Sequence, residues 1–485
     1  MSHVSPLPFH VRASKAIADA NLQMALDRAT GRMTVARRQA IAAIPDGEAA
    51  RDHARQLRAH TIANLGTYLD QFVAAASAAG VHVHFAEDAP AATRLVVDIA
   101  ARNDVRRVVK GKSMVSEEIE LNGALEQAGM RVVETDLGEY VIQLDGDVPS
   151  HIIAPIIHKT KEQVAETFRR ELHATDAEVA DIPQMTALAR RMLRAEFLAA
   201  DMGISGVNFG VAESGSLCLV ENEGNGRLST TTPRLHVALM GLERIVPTAA
   251  DLAVMLRVLA RSGTGQPLTV YTNVITGPRR PDDPDGPSEL HVVLVDNGRS
   301  RMLRTELEEI LSCIRCGACL NACPVYQEIG GHAYASVYPG PVGAVYTPGA
   351  FGLGPWADLP QASSLCGACR DACPVRIDIP RMLLALRAQA EADGHSPQWV
   401  GGGLRLYRVL ATHPRLFRAV SAMARRVTGW LGPRGFDRLP GPLAGWTKYR
   451  HFPPMAAETF TARHHRRSGS PQPGKATARG PHSDS

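Results

Sequence analysis

The chain has 485 residues, of which 45% are hydrophobic and 21% charged, the balance of a soluble globular protein of roughly three to four domains. That balance excludes a mainly disordered chain, a collagen-like repeat and a small disulfide-stapled scaffold. The net charge of +4 is unevenly spread: residues 401–485 hold 15 Lys and Arg against 3 Asp and Glu, leaving 38 basic and 46 acidic residues in the first 400. A basic tail on an acidic body suits an acidic protein partner, an anionic membrane surface or plain solubility. No nucleic-acid-binding motif accompanies it.

In chain order, residues 1 to about 65 are rich in Ala and Arg and predict helices, among them Lys15–Thr30 and Gly47–Leu69. Met1–Gln23 lacks the apolar core of a signal peptide. From about 70 to 300, short apolar runs predict strands at Val81–Phe85, Arg107–Val109, Arg131–Glu134, Tyr140–Leu144, Leu235–Met240, Leu268–Val274 and His291–Val295. Helical stretches separate them, such as Ala91–Asn103, Ser116–Ala128, Met185–Asp201 and Ala249–Arg261. This alternation predicts an α/β domain with a mostly parallel sheet covered on both faces. Gly206–Asn222 predicts instead a hairpin turning at Glu213-Ser214-Gly215, set in or beside that sheet.

Beyond the turn-rich loop Pro278–Gly286, a helical lead-in is expected over Met302–Ser312 and a closing helix over Pro380–Ala392. The uncharged stretch Ile329–Ala357, broken by four prolines, reads as a loop. Residues 404–427 form a basic amphipathic pattern interrupted at Pro414, suited to packing on a partner or on the protein's own core, or to lying at a membrane surface. The segment from 464 has almost no apolar content and predicts a disordered tail. No run of about 20 apolar residues is present to span a bilayer. The expected compartment is the reducing cytoplasm, where clustered cysteines hold metal rather than form disulfides.

Seven of the eight cysteines lie between Cys313 and Cys373. The first motif, Cys313-x2-Cys316-x2-Cys319-x3-Cys323-Pro324, has the spacing that wraps three thiolates round a cubane cluster and sends the fourth to a neighbouring one. The second, Cys366-x2-Cys369-x3-Cys373-Pro374, repeats it with Ser363 where the first cysteine belongs. Crossing the fourth cysteines assigns Cys313, Cys316, Cys319 and Cys373 to cluster 1, and Cys323, Cys366 and Cys369 to cluster 2. The fourth ligand of cluster 2 is open: Ser363, a water, or none in a three-iron centre. Two all-cysteine zinc sites would need eight ligands and differently spaced pairs. Cys218, in the apolar run SLCLV, reads as a small buried hydrophobe.

Other motifs fall short. The GKS fragment at 111–113 has Arg106 where a phosphate loop needs glycine, and no GxGxxG follows a strand. Asp282–Gly286 lacks the register of a calcium loop. Two polar groups stand out: Lys112, Ser113, Ser116, Glu117, Asn122, Glu134, Asp136, Glu139, His151 and His158, then Glu213, Ser214, Glu221, Asn222 and Asn225. Such residues either line a cleft at the strand ends of an α/β sheet or cap helices and pair in loops.

The phrases KGKSMVSEEIELN (110–122), VVETDLGEYVIQL (132–144), GISGVNFGVAESGSLCLVENEGNGRLSTT (203–231) and ITGPRRPDDPDGPSELHVVLVDNGRS (275–300) resemble the lactate-utilization (LUD) domain. With CIRCGACLNACPVY and SSLCGACRDACPV after them, the chain from about 60 to 460 resembles the lactate utilization protein B family. The resemblance implies a LUD domain similar to the sugar-isomerase and CoA-transferase α/β group, then a small helical two-cluster ferredoxin-type domain. The expected limits are 1–65 for the N-terminal helices, 66–300 for the LUD domain, 301–394 for the iron–sulfur domain, 395–463 for a basic helical extension and 464–485 for the tail. It also implies an electron-transfer role in oxidising L-lactate to pyruvate, with two iron–sulfur clusters, both [4Fe-4S] or the second [3Fe-4S]. The implied partners are a cysteine-rich subunit, a shorter LUD protein and an unidentified electron acceptor. Alternative readings make the LUD cleft itself the 2-hydroxy-acid oxidising site, or the chain a cluster-bearing scaffold or sensor. The catalytic residues are not assigned by the resemblance.

Overall fold

The computed structural model describes residues 7–395 and 398–430, residues 439, 444, 445 and 447, and residues 451–453 and 455–468. Met1–His395 form one compact unit and Ser396–Ser485 a second.

Among the described residues, ten strands make two sheets in the first unit. They are β1 His82–Ala86, β2 Arg107–Lys110, β3 Arg131–Glu134, β4 Met202–Gly206, β5 Phe209–Val211, β6 Ser216–Glu221, β7 Leu235–Gly241, β8 Ile245–Val246, β9 Tyr271–Ile275 and β10 Glu289–Val295. The larger sheet runs β1-β10-β7-β4-β2-β3, every neighbour parallel. Its central strands read LHVALMG and ELHVVLV and are buried almost throughout, as strands covered on both faces must be. One face packs on Val96, Ile99, Leu121 and Leu125, the other on Phe72 and Ala76. Where β4 passes under the helix Asn225–Thr231, a Cβ on Gly203 would fall 1.7 Å from the Ser229 carbonyl oxygen; only glycine lets the two backbones approach so closely.

The expected hairpin exists, with β5 and β6 antiparallel, but it belongs to a second sheet of order β8-β5-β6-β9. The run Leu268–Val274, expected in the parallel sheet, supplies β9 of this second sheet and pairs antiparallel with β6. The expected strand Tyr140–Leu144 is instead helical, within Leu137–Asp145. Asp136 caps that helix by accepting the Gly138 and Glu139 N–H groups, and Gly146 stops it at φ +64°. A short apolar run carries no period of its own, and the flanking caps decide it.

Three further expectations are corrected. The loop read across Ile329–Ala357 contains the helix Gly340–Phe351, buried along nearly its whole length; Pro341 sits in its first turn, where no N–H is needed, and Pro348 lies inside it. Met302–Ser312 is not a helix but parts of two 3-10 turns, Ser300–Met302 and Glu308–Ser312, separated by Arg304 at φ +58°. The tail expected to be disordered from 464 begins inside the helix Phe460–Ser468, and its remainder lies outside the described residues. The second unit also holds helices Gln398–Thr412 and Pro414–Trp430, parted next to Pro414 as the sequence predicts.

The N-terminal helices Phe9–Ala18, Ala20–Ala42 and Gly47–Ala63 do not pack as a separate layer. Leu26, Ala54, Leu57 and Ile62 share one core with the cysteine region and with Met255 and Val258 of the helix Ala249–Gly263.

Within the parallel sheet, His236 on β7 is fully buried, its Nε2 2.8 Å from Ser205 Oγ and its Nδ1 without a partner. Burial, helped by His291, pushes its pKa down from 6.5 to about 3. As pH falls the unfolded chain takes the proton first, so stability present above pH 6.5 is lost between pH 6.5 and about 3, at up to ~1.4 kcal/mol per pH unit. His236→Asn should flatten this acid limb, as read by urea unfolding at several pH values; an unaltered slope would contradict the assignment.

Candidate functional site

The two cysteine turns are internal copies. Cys316 and Cys319 flank Gly317 and Ala318 at the start of the helix Ala318–Ala322, and Cys366 and Cys369 flank Gly367 and Ala368 at the start of Ala368–Ala372. Gly317 and Gly367 adopt φ +74° and +84°, and Arg315 and Leu365 before the paired thiols adopt +59° and +55°. The Arg315 N–H donates to Cys313 Sγ at 3.4 Å, and the Leu365 N–H donates to Ser363 Oγ at 3.1 Å. Ser363 thus occupies, in the second turn, the place of Cys313 in the first.

The two short helices pack against each other, which interleaves the thiols. Cys313, Cys316, Cys319 and Cys373 line one small cavity with Ile152, Val342 and Ile377. Burial, then the neighbouring Cys373, raises the Cys316 thiol; burial raises Cys373 to about 11. Burial and Cys366 raise the Cys323 thiol, and burial, then Cys323 and Cys366, raise Cys369 to about 12. Cys366 is the exposed member, held below its ordinary value by the Ala368 N–H and Ser364. No disulfide joins any of these among the described residues. Buried thiols that raise one another's pKa become thiolates only when a cation takes the place of their protons. A donor set of soft sulfurs, with glycines leaving room for backbone N–H groups, fits iron–sulfur clusters.

Arginines bind this region from the N-terminal helices. Arg37 Nε donates to the Ala372 carbonyl at 3.0 Å, and Arg51 Nη2 to the Asp371 and Cys373 carbonyls at 2.6 and 2.8 Å. Arg58, fully buried, donates to the carbonyls of Ile245, Leu311 and Glu243. These guanidinium groups satisfy carbonyls at helix and turn ends, where partial negative charge collects.

A second network joins the sheet to the first cysteine turn. Arg299 Nη2 meets Glu118 Oε2 at 2.8 Å and its Nε meets Glu243 Oε2 at 2.7 Å, all three side chains buried. Arg315 Nη2 reaches Glu243 Oε1 at 3.3 Å, with its guanidinium 4.0 Å and 4.4 Å from the Tyr338 and Tyr346 ring centres. Burial opposes the Glu243 carboxylate, but Arg299, Arg315 and Arg244 hold its pKa down at about 2. Arg244 Nη1 also donates to the Cys313 carbonyl at 2.8 Å.

Between sheet and cysteines lies a cleft of about 290 Å³. It opens at the carboxyl ends of β2, β3, β4 and β7, where open parallel sheets bind ligands. Gly111–Ser113, Asp136, Gly206–Asn208, and Glu243 with Arg244 follow those strands and line it. The hairpin side adds Glu221, Asn222, Glu223 and Asn225, and the far wall is Arg315, Cys316 and Tyr338. A Cβ on Gly263 would sit 2.9 Å from the Cys316 carbonyl oxygen, so the helix Ala249–Gly263 seals directly onto the cysteine turn.

The polar residues singled out in the sequence divide. Lys112, Ser113, Asp136, Glu221, Asn222 and Asn225 line the cleft. Ser116, Glu117, Asn122 and Glu134 surround or support the buried Lys110, whose Nζ lies 2.7 Å from Glu117 and 2.8 Å from Glu134. Glu139 stands 3.7 Å from Lys112 Nζ. His151 is buried under the cysteine turn against Gly317, with Nε2 3.2 Å from Asn321 Oδ1. His158 pairs with Asp147 at 2.9 Å, Glu213 caps Ala249, and Ser214 bonds Ser216. Cys218 is a fully buried strand residue, its thiol pushed up to about 12 by burial. The arginines and Glu243 were missed; the one signal for Arg315 was its place between two ligand positions.

Family models match along the chain: the LUD domain over residues 69–295, the 4Fe-4S dicluster domain over 309–377, and "Lactate utilisation protein B, C-terminal" over 402–469. A lactate utilization protein B of Shouchella clausii is 44% identical over 94% of this chain and 96% of its own length. One from a Geobacillus species is 43% identical over 95% and 98%. The chain belongs to the lactate utilization protein B family. A further relative, the "Uncharacterized electron transport protein YkgF" of Escherichia coli, is 42% identical over 93% of this chain and 95% of its own length. For this family member, the dicluster match and the cysteines at 313–323 and 366–373 support two 4Fe-4S clusters. Among the described residues no helix is long and apolar enough to cross a membrane.

If the thiols are shared crosswise, Cys373→Ala damages the centre built on the first motif, far away in sequence. The anaerobically purified variant should lose roughly half its iron and labile sulfide and keep the EPR signal of the centre at Cys323, Cys366 and Cys369. Loss of that second signal with retention of the first would refute the crossed assignment.

Proposed function

We propose that the chain is the iron–sulfur electron-transfer subunit of an L-lactate oxidation complex, in which lactate becomes pyruvate. It works beside a cysteine-rich subunit and a shorter LUD-domain protein and delivers electrons to an acceptor that remains to be identified. Cluster 1 is held by Cys313, Cys316, Cys319 and Cys373, and cluster 2 by Cys323, Cys366 and Cys369. Clusters so held take up and release single electrons. One observation carries the reading: buried thiols abut a ligand-sized cleft at Cys316, and the interleaved second set ends at the exposed Cys366. The arrangement leads from the cleft to the surface. The names of the relatives favour lactate as the electron source. The reducing cytoplasm suits a chain whose clustered thiols must stay reduced, and the basic helices at the C-terminal end suit a peripheral membrane contact.

Deleting the gene in a strain with no other lactate-oxidising route should abolish growth on L-lactate, and the plasmid-borne gene should restore it. Normal growth of the deletion strain would contradict the proposal.

Ser363 supplies the fourth ligand of cluster 2 on this reading, because its hydroxyl accepts the same turn N–H as the Cys313 sulfur. Ser363→Ala should then give an oxidised-state three-iron EPR signal absent from the unaltered protein, and Ser363→Cys should not. A three-iron signal already present in the unaltered protein, and insensitive to added iron, would exclude Ser363 as a ligand.

A second reading is favoured by the same cleft. Its far wall is the Arg315-Cys316 turn itself, which suits a 2-hydroxy acid oxidised within this subunit. Bleaching of the isolated protein's clusters by L-lactate would favour that reading over oxidation in a partner.

A further inference from the structure

We propose that Lys112 and Arg315 form a two-point site for the carboxylate of a small organic acid inside the cleft, a proposal that rests on the second reading and deepens it. Both residues line the cavity, one from the loop after β2 and one from between two cysteines. Lys112 Nζ is buried without a hydrogen-bond partner, its nearest carboxylate oxygen, on Glu139, being 3.7 Å away. Arg315 Nη1 is likewise buried without a partner. Buried donors of this kind are normally paired, and the two residues that carry these line one cavity.

The guanidinium is also fixed in direction. Glu243 takes its Nη2, and the faces of Tyr338 and Tyr346 hold its plane, so the free Nη1 edge stays put. A planar, oriented fork of this kind matches a carboxylate. Glu139 does little to neutralise Lys112, because burial, more than any neighbouring charge, pushes its carboxyl up to about 8.

The internal duplication supplies an independent comparison. Leu365 holds the matching position in the second turn with almost the same left-handed backbone. The cluster-binding turn needs that conformation, therefore, and does not need a guanidinium. The arginine is found in the copy that faces the cleft. The cavity of about 290 Å³ admits an acid of a few carbons, and Asn208, Asn222 and Asn225 on its walls offer hydrogen bonds to an oxygen on the carbon beside the carboxylate.

Calorimetric titration of the anaerobically purified full chain with L-lactate, pyruvate and the neutral analogue propane-1,2-diol tests this. The expected result is binding of both acids and not of the diol. Lys112→Gln and Arg315→Gln should each weaken the acids at least tenfold at unchanged iron and sulfide content, with Arg315→Lys intermediate. Should Arg315→Gln lose its iron, Lys112→Gln decides the matter alone. Binding of neither acid, equal binding of the diol, or unaltered affinity in Lys112→Gln would overturn the proposal. Electron transfer is judged separately: a chain needed for growth on lactate that binds no acid keeps its relay role and loses this site.

Discussion

Thiols taken out of water near other thiols resist losing their protons, and that resistance governs this part of the molecule. Cys316, Cys319, Cys323, Cys369 and Cys373 are all buried, and each has its pKa raised first by burial and then by its neighbours. Such a group of side chains is costly as bare thiolates and natural as the shell of a polynuclear cation. Two interleaved copies of one turn bring the sulfurs together.

Holding the turns in register falls to arginine. Arg37, Arg51 and Arg58 reach from the N-terminal helices to carbonyls around the cysteines, and the Glu118–Arg299–Glu243–Arg315 chain ties the parallel sheet to the first turn. A buried ion pair is weak evidence of stability in itself, because desolvation offsets much of the attraction. Here the charges also fix geometry: Arg51, Arg58 and Arg299 each have several acceptors at defined places, and Arg315 is held by Glu243 and two tyrosine rings, so the cleft wall and the cysteine turn cannot shift independently.

The cysteine spacing and the βα alternation were legible in the residues because each follows from local chemistry: fixed intervals between ligands, and apolar runs bounded by helices. Even the serine at 363 could be placed by counting, and the structure gives it the same turn N–H contact as Cys313. The hidden features depend on partners distant in sequence. Leu268–Val274 looks like any other strand until β6 claims it, and Tyr140–Leu144 is made helical by a cap at Asp136 and a stop at Gly146. The uncharged segment around Gly340–Phe351 resembles a loop because of its prolines, whereas its lack of charge reflects burial. Nothing local in Arg37, Arg51 or Arg58 distinguishes them from surface arginines. Among the cleft residues, Lys112, Ser113, Asp136, Glu221, Asn222 and Asn225 were foreseen, whereas Asn208, Glu243, Arg244 and the wall contributed by the iron–sulfur domain were not.

The most direct measurement is a combined determination of iron, acid-labile sulfide and zinc on anaerobically purified protein, with EPR of the dithionite-reduced sample. Two clusters bound crosswise side by side predict iron and sulfide sufficient for both, negligible zinc, and a reduced spectrum broadened by coupling between neighbouring spins. Zinc in place of iron, or a single isolated cluster signal at full iron loading, would contradict it.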